Sequence, residues 1–556
     1  MRKWISLLLC LGLVMGLMTG ALASETKTGK ATGFGGELTV EVTTDNGTIT
    51  AVTIVNHNET AGIGTPALEQ LPEMIVAAGS AAVDAIAGAT VSSEAVRAAV
   101  LNALDPAANP YSPPAKEEAV PVEIEASDAY LGFGLVNSGR IGPGADDTET
   151  PVYSLNQVFA QVLFDADGKI LLCNVDQLEV ATPNYDGAGM PHFSGFPGQG
   201  GYNLWDDEAQ KVNGKTQDTD ENFLAETASW QTKRQRGDSY VMGVGTWASQ
   251  MDAFQRIFAG KTVDEVYAWF GAYCSDANGR PLTEKSSKEG DAEKYAALTD
   301  EEKSMLADAT SGATMSLNDS HGDILGALKA AYENRRPVTL EDVTGMGLGL
   351  STSGRIGPGK DDAETQVYSL NEIFATTLLD GEGKIKTLFV DQLEVATPNY
   401  DGAGMPHFSG FPGQGGYNLW DDEAQKVNGK TEDTEDTFLT EIASWQTKRQ
   451  RGESYVMGTG TWAGQMDAFQ TLFAGKTADE ISAWFDAYCS DANGRPLTEK
   501  SDKEGDAEKY AALSDEEKVM LADATSGATM SLNDSHGNIL SAIAGSVNNV
   551  VEINVK

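Results

Sequence analysis

The chain has 556 residues, with 82 Asp and Glu against 39 Lys and Arg and a formal charge of −43. Such an excess of carboxylates repels nucleic acid and anionic lipid, so polyanion-binding roles are excluded. The length is enough for several domains.

Residues 1–23 read as a secretory signal: Arg2 and Lys3, an apolar run from Leu7 to Met18, and Ala21-Leu22-Ala23 before Ser24. The mature protein is expected to be extracytosolic, secreted or at the cell surface. No later apolar stretch approaches the roughly 20 residues that span a bilayer. Beyond the signal stand Cys173, Cys274 and Cys489. An odd number makes no complete disulfide framework, and none has a CxxC partner or a His at metal-ligand spacing. They are expected to be buried thiols, with no metal site.

Residues 33–104 form a small unit. Glu37 to Val42 alternates polar and apolar, Asp45-Asn46-Gly47 is a turn, and Thr48 to Val55 alternates again, which predicts a hairpin. A helix is predicted from Pro66 to Ala78, and a second, capped by Ser92 or Ser93, carries Val96, Val100, Ala103 and Leu104 on one face. Residues 105–122, with Pro106, Pro110, Pro113, Pro114 and Pro121, read as an extended linker.

The rest is a tandem duplication, residues 126–336 and 341–549. Val175 to Thr216 recurs letter for letter as Val390 to Thr431. Each copy repeats the earlier grammar. Gln157 to Phe164, the turn Asp165-Ala166-Asp167-Gly168 and Lys169 to Val175 make a hairpin, and a helix near the end carries Ile324, Leu325, Leu328, Ala331 and Tyr332 on one face. The expected fold class is α+β: three modules, each a β-hairpin or sheet with packed helices, the last two enlarged by an insertion of about 100 residues.

All three modules carry one signature: Asp84-Ala85-Ile86-Ala87-Gly88-Ala89-Thr90, Asp308-Ala309-Thr310-Ser311-Gly312-Ala313-Thr314 and Asp523-Ala524-Thr525-Ser526-Gly527-Ala528-Thr529. It reads as a small-residue loop delivering a hydroxyl to a helix N-terminus, where unpaired N–H groups and the helix dipole suit a phosphate. Gly88, Gly312 and Gly527 would let backbone approach that phosphate, and Ala89, Ala313 and Ala528 would keep the loop narrow. An ordinary capping turn is the alternative.

These residues resemble the FMN-binding domain family, which includes the periplasmic flavin-carrying subunits of sodium-translocating NADH:quinone reductase and of the Rnf electron-transport complex. In that family the last Thr of Asp-x-x-(Ser/Thr)-Gly-Ala-Thr is joined to the FMN phosphate through a phosphoester bond made by a dedicated flavin transferase. The resemblance implies up to three covalent FMN groups, on Thr90, Thr314 and Thr529, with Asp84, Asp308 and Asp523 opening the signature. Ser311 and Ser526 complete it in the repeats, whereas Ala87 departs from it. The small unit also carries His57-Asn58-Glu59-Thr60-Ala61-Gly62-Ile63-Gly64, which looks like the family's His-x-Glu-Thr-x-Gly segment. In the repeats Asp176 to Pro183 matches that segment only loosely.

Two features of the insertion invite a reading. Phe193, Phe196, Tyr202 and Trp205, with Phe408, Phe411, Tyr417 and Trp420, either line a flavin or pin a glycine-rich surface loop. Lys233, Arg234 and Arg236 either contact the flavin phosphate or reduced ring or pair with nearby carboxylates. His321 and His536 are expected in the first turn of a helix. There is no Ser/His/Asp arrangement, P-loop or dinucleotide fingerprint, and no catalytic residue is assigned.

The function expected is an exported multi-flavin electron carrier. Its partners would be a flavin transferase and a membrane or surface redox donor and acceptor. A flavin-dependent reductase, and a surface-binding repeat protein without flavin, are the alternatives.

Overall fold

The computed structural model describes residues 24–33, 36–57, 65–86, 89–111, 122–124, 128–187, 190–206, 209–216, 218–237, 240–402, 405–421 and 423–556. Residues 1–23, expected to be a signal, residues 58–64, Ala87 and Gly88, and residues 112–121 of the expected linker lie outside them. The chain forms two compact units, residues 1–118 and 119–556, and the architecture of both is α+β.

In the first unit β1 (Glu25–Gly33), β2 (Gly36–Asp45) and β3 (Thr48–Asn56) form an antiparallel sheet in that order. β1 is a strand that alternation did not single out. Asn46 and Gly47 both have positive φ (52° and 80°), the geometry of the tight turn that suits twisted strands. Helices α1 (Thr65–Ala78) and α2 (Thr90–Leu104) bury Leu68, Leu71, Ile75, Val96, Val100 and Ala103 against this sheet. α2 starts three or four residues earlier than a cap at Ser92 or Ser93 implies. Ala89 is its N-cap with no side-chain cap bond, and the Ser93 hydroxyl instead accepts from Ile86 N at 3.0 Å.

The second unit opens with β4 (Val122–Ile124). The first repeat then builds a meander of β5 (Asp128–Ala145), β6 (Pro151–Phe164) and β7 (Ile170–Ala181). The hairpin β8 (Asn203–Asp206) and β9 (Lys211–Lys215) and helix α3 (Asp220–Ala228) follow. After the short hairpin β10 (Val241–Met242) and β11 (Gly245–Thr246) come α4 (Trp247–Phe258), α5 (Val263–Tyr273), α6 (Asp291–Ala296) and α7 (Asp300–Gly312). The hairpin β12 (Asn318–Asp319) and β13 (Gly322–Asp323), helix α8 (Ile324–Glu333) and β14 (Arg336–Thr339) close the repeat, with β14 pairing with β5. The second repeat reproduces this order, and its last strand, Val550–Val555, pairs with both Gly345–Lys360 and β4.

One contact recurs three times. A Cβ at Gly29 on β1 would stand 2.1 Å from Ala99 O and 2.4 Å from Ala103 N of α2. At Gly134 on β5 it would stand 2.1 Å from Ala327 O and 2.4 Å from Ala331 N, and at Gly349 it would stand 2.3 Å from both Ala542 O and Ser546 N. In each case the last helix of the module lies on a glycine of the first strand, closer than any side chain allows.

The two repeats share a core. Phe159 meets Phe374 at 5.0 Å and Phe193 meets Phe408 at 6.1 Å between ring centroids. Polar contacts are exchanged reciprocally across it. Gln199 Nε2 donates to Ser409 O and Gln414 Nε2 to Ser194 O, each at 2.7 Å. The Tyr153 hydroxyl donates to Glu435 at 3.1 Å and the Tyr368 hydroxyl to Asp220 at 2.8 Å. Equivalent surfaces thus face each other, as in an isologous dimer. Cys173, Cys274 and Cys489 are free, buried thiols, and burial holds each at about 12.

Candidate functional site

In the first unit Thr90 is exposed and begins α2, so its hydroxyl stands at a helix N-terminus as the signature implied. Ala89 is buried, and Asp84 is exposed.

The repeats differ. Asp308 to Gly312 is the last turn of α7, and Asp523 to Gly527 the last turn of helix Asp515–Gly527. Thr314 and Thr529 therefore follow a helix C-terminus, the negative end of its dipole. Nor do the glycines open a path for phosphate. A Cβ at Gly312 would meet Ala253 Cβ at 3.2 Å, and at Gly527 it would meet Ala468 Cβ at 3.0 Å, so they permit helix packing. The signature N–H groups are used as well: Ala313 N bonds Ala309 O, and Ala528 N bonds Ala524 O. Ser311 and Ser526 donate their hydroxyls to Asp308 O and Asp523 O at 2.7 Å. Asp308 and Asp523 point to the exposed face.

Thr314 and Thr529 are held by a residue that sequence reading missed. Gln250 Oε1 accepts from Thr314 N at 2.9 Å and Thr314 Oγ1 at 3.1 Å, and Gln465 does the same for Thr529. The amide nitrogens of these glutamines donate to Met242 O and Met457 O, which orients them. Gln250 sits on the apolar face of α4 among Trp247, Met251, Phe254 and Phe258. A polar residue in that stripe is the readable signal. Gly243 and Gly458, at positive φ, bring backbone against the threonine: a Cβ at either would lie 3.3 Å from the hydroxyl oxygen.

Beside Thr529 lies a part-open cleft enclosing about 100 Å³, lined by Lys448, Trp462, Met530, Arg495 and His536 among others. The first repeat has a smaller cleft beside Met315, with Lys233, Trp247, Arg280 and His321, enclosing about 40 Å³. Both are smaller than a pocket that encloses a whole cofactor, so a large group there would lie partly in solvent. Apolar and aromatic walls, two cations and, at Thr529, a threonine hydroxyl suit the edge of a planar, anionic group.

Behind the cavity runs a buried polar chain built from the segment Asp176 to Glu179. Lys233 Nζ is 2.8 Å from Glu179 Oε2 and 3.0 Å from Gln177 Oε1, and Arg140 is 2.9 Å from Glu179 Oε1. Gln177 also donates to His321 O. Burial alone would raise the Glu179 carboxyl, but Lys233 and Arg140 outweigh it and hold it below the usual range. Burial raises Asp176 despite Arg234 and its hydrogen bonds from Thr232 and Arg234.

Several expectations need correcting. Lys233 pairs with the Glu179 carboxylate, as the second of its two readings expected, and also lines the cavity. Arg234 pairs with Asp252 at 2.7 Å, and Arg236 stacks on the Tyr240 ring at 4.6 Å. Phe193, Phe196 and Tyr202, with Phe408, Phe411 and Tyr417, are buried in the core between the repeats and line neither threonine cavity. Trp205 and Trp420 sit half-buried on the small hairpins, away from those cavities. His321 and His536 are not helical; they occupy the turn of the short hairpin before the last helix, bonded to Asp319 and Asp534 at 3.0 Å. Among the described residues no group of His, Cys, Asp and Glu is arranged to hold a metal.

Over 221 residues the chain is 36% identical to a chlorophenol reductase of Desulfitobacterium hafniense, covering 38% of this chain and 60% of that protein. Over 119 residues it is 38% identical to a urocanate reductase of Eggerthella lenta, covering 21% of this chain and 20% of that protein. A match of 30% over 169 residues with an NADH:acrylate oxidoreductase of Vibrio harveyi covers 30% and 16%. The chain thus spans less than two thirds of the length of each of these relatives. The model of the FMN-binding domain matches residues 33–105, which contain Thr90. Residues 33–105 of this chain therefore belong to the FMN-binding domain family.

Proposed function

We propose that this chain is an exported electron-transfer protein built of three FMN-binding-type modules, at residues 33–104 with the strand Glu25–Gly33 before it, 126–336 and 341–549. It carries FMN as a phosphoester on the Oγ of Thr90, Thr314 and Thr529. The observation that carries the reading is the recurrence, in both repeats, of the signature of the matched domain, ending on a threonine held by a glutamine near a cleft lined by a tryptophan, a lysine and an arginine. The glycine-on-helix contact at Gly29, Gly134 and Gly349 supports counting three modules.

When bound, the flavin supplies one- or two-electron redox chemistry. The residues of this chain hold the ester oxygen in place through Gln250 and Gln465, wall the cavity with Trp247 and Trp462, and fix Lys233 and Lys448 by ion pairs with Glu179 and Glu394. A flavin transferase installs the group, formally with loss of water. Electrons then enter from a membrane or surface donor and leave to an external acceptor. Covalent attachment suits an exported carrier, because a dissociable flavin would diffuse away. The export signal, residues 1–23, is read from sequence alone.

The test is peptide mass analysis of the native protein. FMN less one water on Thr90, Thr314 and Thr529 is the expected result; no adduct on any of them overturns the reading.

A second reading, a reductase with its own substrate, is favoured by the names of the relatives and by cavity space beyond a threonine side chain. Saturable reoxidation of the reduced protein by a small acceptor would select it.

A further inference from the structure

The signature meets opposite helix poles in the two kinds of module. Thr90 stands at the positive end of α2, whereas Thr314 and Thr529 follow the negative end of a helix with their N–H groups already bound to glutamine. An anion at the repeat sites gains nothing from the backbone, so its charge must be met by a side chain.

The lysines that line the two cavities are committed: Lys448 is 2.7 Å from Glu394 and Lys233 is 2.8 Å from Glu179. Arg495 and Arg280 are exceptions: both line the cavity, and neither forms an ion pair among the described residues, although carboxylates outnumber cations two to one in this chain.

Their position is enforced. Gly494 has φ +65°, and a Cβ there would come 2.2 Å from Asn533 O, so the turn before Arg495 lies directly on the segment that follows Thr529. Leu532 N donates to Gly494 O at 3.0 Å. In the first repeat Gly279 has the same φ, a Cβ there would come 2.4 Å from Asn318 O, and Leu317 N donates to Gly279 O at 3.0 Å. Beside each arginine a buried serine hydroxyl, Ser316 or Ser531, lies near Asp319 or Asp534 without a well-formed hydrogen bond. A guanidinium fork and a hydroxyl next to the threonine form a donor set for a phosphate.

We propose that Arg280 and Arg495 are the phosphate-binding residues of the two repeats, taking over the role that the helix N-terminus plays at Thr90. This rests on the flavin reading above. The arginines bind the FMN phosphate before and after the ester forms.

The experiment uses the full chain produced without a flavin transferase, titrated with FMN and, separately, with riboflavin, which lacks the phosphate. The wild-type chain is expected to bind FMN at least tenfold more tightly than riboflavin at three sites. The double variant Arg280→Ala/Arg495→Ala should lose that preference at the two repeat sites and keep it at the Thr90 site, with riboflavin affinity and melting temperature unchanged. Arg280→Lys/Arg495→Lys should recover part of the lost preference. A double alanine variant that keeps the preference for FMN at all three sites overturns the assignment. A wild-type chain that binds neither flavin overturns the flavin reading itself, which is a distinguishable result.

Discussion

Gln157 and Glu372 occupy equivalent positions in the two repeats and meet in the buried seam between them, where Gln157 Nε2 donates to a Glu372 carboxylate oxygen. The duplication thus placed an amide against an acid where two copies of either residue would otherwise meet.

Burial pushes the Glu372 carboxyl up to about 8, and the hydrogen bond from Gln157 offsets this only in part. The folded chain holds this proton more tightly than an unfolded chain does, at 4.5. The group's contribution is therefore full below about pH 4.5 and is lost as pH rises to about 8. Glu226 and Glu441, raised to about 7 by burial, act in the same direction. Glu372→Gln should leave the melting temperature unchanged at pH 5 and raise it by about 2–5 °C at pH 9. Equal melting curves for both proteins at pH 9 would refute this.

The glycine contacts predict steep costs for small changes. Gly134→Ala or Gly349→Ala places a methyl within about 2 Å of a helix backbone, and displacing the helix should cost on the order of 2–4 kcal/mol. Gly47→Ala, where the added Cβ meets nothing within 4 Å, should cost about 1 kcal/mol through its positive φ alone. Denaturant titration separates the two.

The Lys233–Glu179 pair is almost wholly buried. Lys233→Met strands the Glu179 carboxylate with Arg140 as its remaining cation and should destabilise by about 3–5 kcal/mol. Adding Glu179→Gln should recover much of that loss. Chemical unfolding of the single and double variants measures both, and a double variant no better than the single one would show that the charges are not coupled.

Gln465→Leu removes the acceptor that orients Thr529 and leaves Gln250 in place. Flavin occupancy at Thr529 should fall about tenfold while Thr314 keeps its own. Peptide mass analysis reads both sites in one sample, so a general folding defect would appear as loss at both. Equal occupancy at the two sites would remove the positioning role.

Much of the fold was legible because it rests on local chemistry. Alternation and the Asn46-Gly47 turn announced β2 and β3, and Val96, Val100 and Ala103 announced the buried face of α2. The exception at the site is instructive. Thr310, Ser311 and Gly312 are weak helix formers, so Asp308 to Gly312 reads as a loop. It is helical because Gly312 lets α7 pack on Ala253 of α4, a contact between residues 59 apart that no local pattern encodes.

The amino-acid sequence by itself determined the duplication, the hairpins and the threonine signature, since these depend on residue order and short-range geometry. Only the tertiary structure decided which helix pole each threonine meets, that Phe193 and Phe408 seal one repeat to the other, and that Gln250, Lys233 and Arg280 converge near Thr314. Those outcomes depend on long-range packing, which selects among apolar faces that look alike along the chain and which leaves Arg280 without an ion pair among the described residues while burying Lys233 against a carboxylate.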